Sequence, residues 1–184
     1  EHEYIELTGV YPDIQALSKD VREAIGSDYA IEVNIAAAGE KIMWKNPQAS
    51  VEIQVDCNPE KFDVNNAEYF SVWFIDSAGN RKPVVNARYS MDTEKMIFNT
   101  NHFSIYSISA EKKTFSDLDN YEWARKEIEV LASKGVINGV SNESYAPEKN
   151  ITRADFISLL VRTFEIDAEV KVNFDDVSLE DYFY

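Results

Sequence analysis

The segment Ile151-Thr152-Arg153-Ala154-Asp155-Phe156 is a helix start with one residue out of place. Thr152 suits the N-cap: its hydroxyl accepts from the backbone N–H of Asp155 at N3, and Asp155 reaches back in a shortened capping box. Ile151 and Phe156 occupy the positions of a hydrophobic staple. Arg153 falls at N1, where a cation opposes the helix dipole at a cost of about 0.3–1 kcal/mol on an exposed surface. A bound anion reverses that sign, because free backbone N–H groups and a guanidinium fork then converge on one carboxylate or phosphate. Thr152 and Arg153 are therefore candidate anion-binding residues. The competing reading is an ordinary surface arginine paired with a neighbouring acid.

Other chemistries find little support. His2 and His102 are the only histidines, and neither has a second ligand at metal spacing. The acids Asp117, Asp119, Asp175 and Asp176 sit in loop-like segments but lack the spacing and glycine of an EF-hand loop. No metal and no cofactor is expected. Cys57, the single cysteine, excludes an intrachain disulfide and falls on the inward face of an alternating strand, as a small buried thiol rather than a nucleophile. The acid pairs Asp175-Asp176 and Glu180-Asp181 are adjacent in sequence, as in solvated turns, and no serine, cysteine or histidine constellation supports them. The chain is not expected to be an enzyme.

The elements that must position these residues change character along the chain. Residues 12–25 read as one amphipathic helix with Ile14, Leu17, Val21 and Ile25 on one face and Gly26 as its stop. Strands follow. Ile31, Val33 and Ile35 alternate with polar residues, as do Val51, Ile53, Val55 and Cys57. Residues 69–75 suit a central strand, a turn over 76–80 leads into a strand over 83–89, and strands over 96–99 and 103–108 complete about six. Near Lys112-Lys113 the spacing becomes helical. Asp119 is placed to cap a helix from about Asn120, with Glu122 at the capping-box position. Ala124, Ile128 and Leu131 form its buried stripe, Trp123 lies at the edge, and Gly135 takes the C′ site. A second helix is expected to bury Phe156, Leu159, Leu160 and Phe164.

The 184 residues suit one or two domains, with a formal charge of −15. Residues 1–113 carry 11 basic and 18 acidic side chains, and residues 114–184 carry 7 and 15. A surface so acidic throughout makes nucleic acid an unexpected partner. No apolar run reaches the roughly 18 residues of a membrane span, so no membrane insertion is expected. Glu1-His2-Glu3 lacks a basic-then-apolar leader, so a secretion signal is expected to have been removed or to lie upstream.

Phe115-Ser116-Asp117-Leu118, Trp123-Ala124, Gly135-Val136-Ile137-Asn138-Gly139, Tyr145-Ala146-Pro147 and the Thr152-Arg153-Ala154-Asp155 motif follow one another in the order of a bacterial S-layer homology repeat, which the chain resembles. Phe174-Asp175-Asp176-Val177 matches residues 115–118 at an offset of 59, and the same offset brings Tyr182 onto Trp123. Residues 114–172 thus resemble one repeat and residues 173–184 the start of a second. More loosely, residues 100–108 are similar to the last strand of β-sandwich modules in surface proteins of Firmicutes.

These resemblances imply a multi-domain α+β chain. Residues 1–112 would form an Ig-like β-sandwich with one helix, and residues 113–184 a mainly α-helical S-layer homology region. They imply an extracellular protein at the bacterial surface or S-layer, anchored by wall polysaccharide often bearing pyruvate ketals, with self-association through incomplete repeats as a further possibility. A structural spacer or assembly module without glycan binding is the alternative, and a fragment of a surface glycoside hydrolase ranks behind both. Carried over to this chain, Arg153 would clasp the carboxylate, Trp123 would face a sugar ring, Asp117 would accept from sugar hydroxyls, and Gly139 would let the ligand reach the backbone. The residues themselves leave plainer roles open: Trp123 in the core, Asp117 capping a turn, Gly139 supplying a positive φ.

Overall fold

The computed structural model describes residues 5–37, 40–57 and 62–166. Two antiparallel sheets face each other. The first runs β1 (Ile5–Val10), β2 (Tyr29–Ala37), β9 (Ile105–Ser109), β5 (Ser71–Ile75), β6 (Arg81–Pro83), with β3 (Glu40–Ile42) added beside β2. The second runs β4 (Val51–Asp56), β8 (Lys95–Thr100), β7 (Arg88–Ser90). Alternation builds the core between them: Ile31 and Val33 of β2 and Tyr106 and Ile108 of β9 meet Val55 of β4 and Met96 and Phe98 of β8. Glu52, Gln54 and Asp56 take the outer face of β4, where period two leaves them in water. Cys57 is buried in this core, as expected.

Among the described residues there are nine strands where about six were expected, and the segment over 83–89 is not one strand. Its first residue, Pro83, ends β6 in the first sheet, a turn over 84–87 closes with the Ala87 N–H donating to the Val84 carbonyl at 3.1 Å, and β7 joins the second sheet. Asn86 holds the turn by exchanging two hydrogen bonds with the Asn99 backbone, at 2.7 and 3.1 Å. The helix over 12–25 is also divided. A short 3-10 turn at Ile14–Ala16 ends at an extended Leu17 (ψ 156°), and α1 (Lys19–Ile25) starts afresh from Ser18, whose hydroxyl caps the Val21 amide. Ser18 competes for the backbone in mid-pattern, as serine does. The apolar face survives the break, with Val21 and Ile25 buried against Ala30 and Ile75.

The expected fold class, with a mainly α-helical region after residue 112, is overturned. Sheets dominate, and helices make up about a quarter of the described residues. From residue 113 to 166 the helices are α2 (Glu122–Ser133) and α3 (Arg153–Thr163), joined by irregular chain over 134–152. Gly135, Asn138-Gly139 and Pro147 keep that chain out of a helix, and side chains satisfy part of its backbone in place of a helical ladder.

The buried face of α2 matches the expected stripe in part: Ile128 packs against the cluster of Phe115, Leu118, Ala132, Val136 and Ile137, but the face is shifted away from Leu131. Glu129, Ala132 and Ser133 are buried, and Leu131 is 40% exposed. Glu129 can be buried because Lys112 Nζ lies 3.1 Å from one carboxylate oxygen and Arg125 3.6 Å from the other. Ser133 donates to the Glu129 carbonyl at 2.7 Å and accepts from the Lys113 amide at 2.9 Å. On α3 only Leu159 of the four expected core residues packs inward, against a cluster of Phe115, Leu118, Ala132, Val136 and Ile137. Phe156, Leu160 and Phe164 stay exposed, because among the described residues nothing covers them. The residues matched at an offset of 59, and the acid pairs of 175–176 and 180–181, lie outside the described residues.

Candidate functional site

The start of α3 forms as its sequence dictates. The Asp155 amide donates to Thr152 Oγ1 at 3.0 Å, and the Thr152 amide and hydroxyl both donate to Asp155 Oδ2, at 3.0 and 2.7 Å. The capping box is complete. Thr152 is thereby committed to the helix end, whereas the amides of Arg153 and Ala154, first in the helix, have no intrahelical acceptor. Arg153 is exposed, and among the described residues no acid pairs with it. Arg125 on α2 shows the contrast: its guanidinium is spent on Asp119 at 2.8 Å and Glu122 at 2.9 Å. That pairing also corrects the expected cap of α2, whose N-cap is Tyr121 with no side-chain hydrogen bond.

Asp117 and Gly139 are brought together around one loop. Asp117 accepts from the amides of Tyr145 and Ala146, at 2.9 and 2.7 Å, and from the Ser144 hydroxyl at 2.7 Å. These hydrogen bonds hold its carboxyl down to about 2. Ala146 is kept at φ +61° beside them. Gly139 does not have a positive φ. A Cβ there would lie 2.4 Å from the Ser144 carbonyl oxygen and 2.5 Å from the Phe115 ring, so packing demands glycine. Asp117 also borders a shallow cleft of about 290 Å³ with Asn120, Tyr121, Pro147, Glu148 and Lys149. The Tyr121 hydroxyl donates to Glu148 across it. Local sequence does not mark Tyr121, Glu148 and Lys149 as one site with Asp117, because Glu148 and Lys149 reach it only through the fold, with 27 positions between Tyr121 and the Glu148 it bonds. The Tyr145-Ala146-Pro147 turn was the available signal.

Trp123 stands apart from this loop, 83% exposed on α2. A core role is therefore excluded, and a free aromatic face remains. Neither Trp123, Gly139, Thr152 nor Arg153 lines the Asp117 cleft.

Residues 114–157 match the family model described as S-layer homology domain. The chain carries an S-layer homology domain. The matched residues hold Asp117, Trp123, Gly139, Thr152 and Arg153 together with α2 and the start of α3. An amylopullulanase of Thermoanaerobacterium thermosulfurigenes is 26% identical over 165 residues, covering 89% of this chain and 8% of that protein. An endo-1,4-beta-xylanase A of Thermoanaerobacterium saccharolyticum is 38% identical over 71 residues, covering 38% of this chain and 6% of that protein. A cellulosome-anchoring protein of Acetivibrio thermocellus is 37% identical over 54 residues, covering 29% of this chain and 12% of that protein. The chain thus spans a small part of each relative's length. No solved structure matches it. An S-layer homology domain with such relatives belongs to an extracellular protein of the bacterial surface.

Proposed function

We propose that this chain attaches a surface protein non-covalently to the bacterial cell wall, and that the S-layer homology domain does so by holding wall polysaccharide through a carboxylate such as a pyruvate ketal. The observation that carries this reading is Arg153: exposed, unpaired among the described residues, and set at the first turn of a helix whose cap is already satisfied by Thr152 and Asp155. A cation left there costs stability until an anion arrives. Trp123 supplies the aromatic face for a sugar ring. Asp117 and Gly139 serve this reading by shaping the 139–146 loop. In this proposal the division at Lys112-Lys113 separates a presenting module from the binding module.

The test is co-sedimentation of the protein with purified walls, before and after chemical removal of pyruvate. Arg153→Ala and depyruvylated walls should each abolish retention. Full retention under both conditions would refute the proposal. The exposed apolar side of α3 favours a second reading, a lattice or self-assembly contact. Sedimentation velocity showing concentration-dependent assembly indifferent to added wall glycan would support that reading instead.

A further inference from the structure

Both helices of the S-layer homology region end against the same place on the two-sheet body. Each closes in the same way. At α2, the Gly135 amide donates to the Ala132 carbonyl and the Val136 amide to the Leu131 carbonyl, both at 3.0 Å. At α3, the Glu165 amide donates to the Arg162 carbonyl at 3.2 Å and the Ile166 amide to the Val161 carbonyl at 3.0 Å. These are paired Schellman closures, with the C′ residue at φ +70° for Gly135 and φ +49° for Glu165. Glycine is the expected occupant of that position, and a glutamate there carries backbone strain.

What holds Glu165 there is on the sandwich-facing side. Its Oε1 accepts from the Val85 amide at 2.9 Å and its Oε2 from Asn86 Nδ2 at 2.7 Å, so both carboxylate oxygens engage the turn between β6 and β7. The other helix end meets the same turn. Lys134 Nζ donates to the Ala87 carbonyl at 2.9 Å, and Gly135 lies so close to Trp73 that a Cβ would come within 2.5 Å of the ring. Val85 itself packs into the cluster under α2 and α3. The 165 residues matched in the amylopullulanase necessarily include both parts of the chain.

We propose that the 84–87 turn is a docking surface for the two helix C-termini, that Glu165 is the positioning residue that clamps α3 to it, and that the two-sheet body thereby serves as the fixed neighbour of the first repeat. The clamp fixes the C-terminal end of α3 on the body, with Arg153 at the opposite end of the same helix. It holds whether or not the wall-binding reading is right, and its test uses no wall.

Glu165→Gly separates the clamp from helix termination. Glycine suits the positive φ, so a residue that merely ends α3 becomes more stable on this change, whereas a clamp is lost. The expected result is a lowered thermal midpoint, with exchange of the Val85 amide faster by roughly tenfold, since a hydrogen bond to a charged group has been removed. Glu165→Gln, which keeps an acceptor oxygen, should fall between glycine and wild type in Val85 exchange. A raised or unchanged midpoint in Glu165→Gly, or unchanged Val85 protection, overturns the proposal.

Discussion

Replacing Gly135 by alanine tests the junction from its other side. Two costs add. At φ +70° an L-residue pays about 1 kcal/mol or somewhat more for the left-handed backbone. The new methyl would then sit 2.5 Å from Trp73 Cη2 and 3.0 Å from Pro83 Cβ. Trp73 cannot swing aside freely: its Nε1 donates to Ser71 Oγ at 3.0 Å, and the Arg81 guanidinium lies 4.9 Å from its ring centre. Overpacking of this kind costs about 1–3 kcal/mol. Gly135→Ala should therefore lose about 2–4 kcal/mol in urea denaturation, seen as a lower midpoint at unchanged slope. Gly135→Asn is the discriminating companion, because asparagine tolerates the positive φ but still brings a Cβ. If the contact with Trp73 dominates, the asparagine variant remains well below wild type. A loss of about 1 kcal/mol or less for alanine, or near-complete recovery with asparagine, would refute the claim that Gly135 is held by docking.

Other outcomes follow from the same structure. Arg153→Ala should leave thermal stability unchanged or slightly raised, since a cation leaves the positive end of a helix dipole, while wall retention is lost; a large drop in midpoint would show the residue to be structural. The Asp117 carboxyl is held down to about 2 by the 144–146 loop, so its contribution is full above the unfolded carboxylate range near 4 and fades as pH falls toward 2. Melts of wild type and Asp117→Asn should accordingly differ at neutral pH and converge in acid, and a constant gap across that range would contradict the assignment. Burial pushes the Cys57 thiol up, so native protein should resist alkylation at pH 8 until urea unfolds it, as followed by mass spectrometry.

What could be read ahead from the sequence was local. The capping box at Thr152 and Asp155 needs only three residues of spacing, and the alternation of β2 and β4 needs only period two, so both form as the residues predict. Readings failed where distant partners decide. Of the apolar stripe Ala124, Ile128 and Leu131, Ile128 does pack against the core cluster, but Leu131 is left exposed, because Lys112 and Arg125 neutralise Glu129 and let it turn inward beside Ala132. The 83–89 segment reads as one strand because its residues favour extension. Its division between two sheets depends on Asn86 finding the Asn99 backbone thirteen residues away. The Asp117 clasp lies 27 to 29 residues from its partners, beyond any periodic signal. Phe156, Leu160 and Phe164 have helical core spacing, yet spacing alone cannot say what lies against them.

The unequal surroundings of the three indoles give the protein a built-in optical probe. Trp44 stacks on Phe103 at 4.6 Å and Trp73 lies beneath Arg81, while Trp123 faces solvent. Iodide or acrylamide in the folded state should therefore quench chiefly Trp123, and a sugar settling over that ring would shield it. Emission from an unlabelled sample would then report occupancy on one side of α2 without any engineered dye.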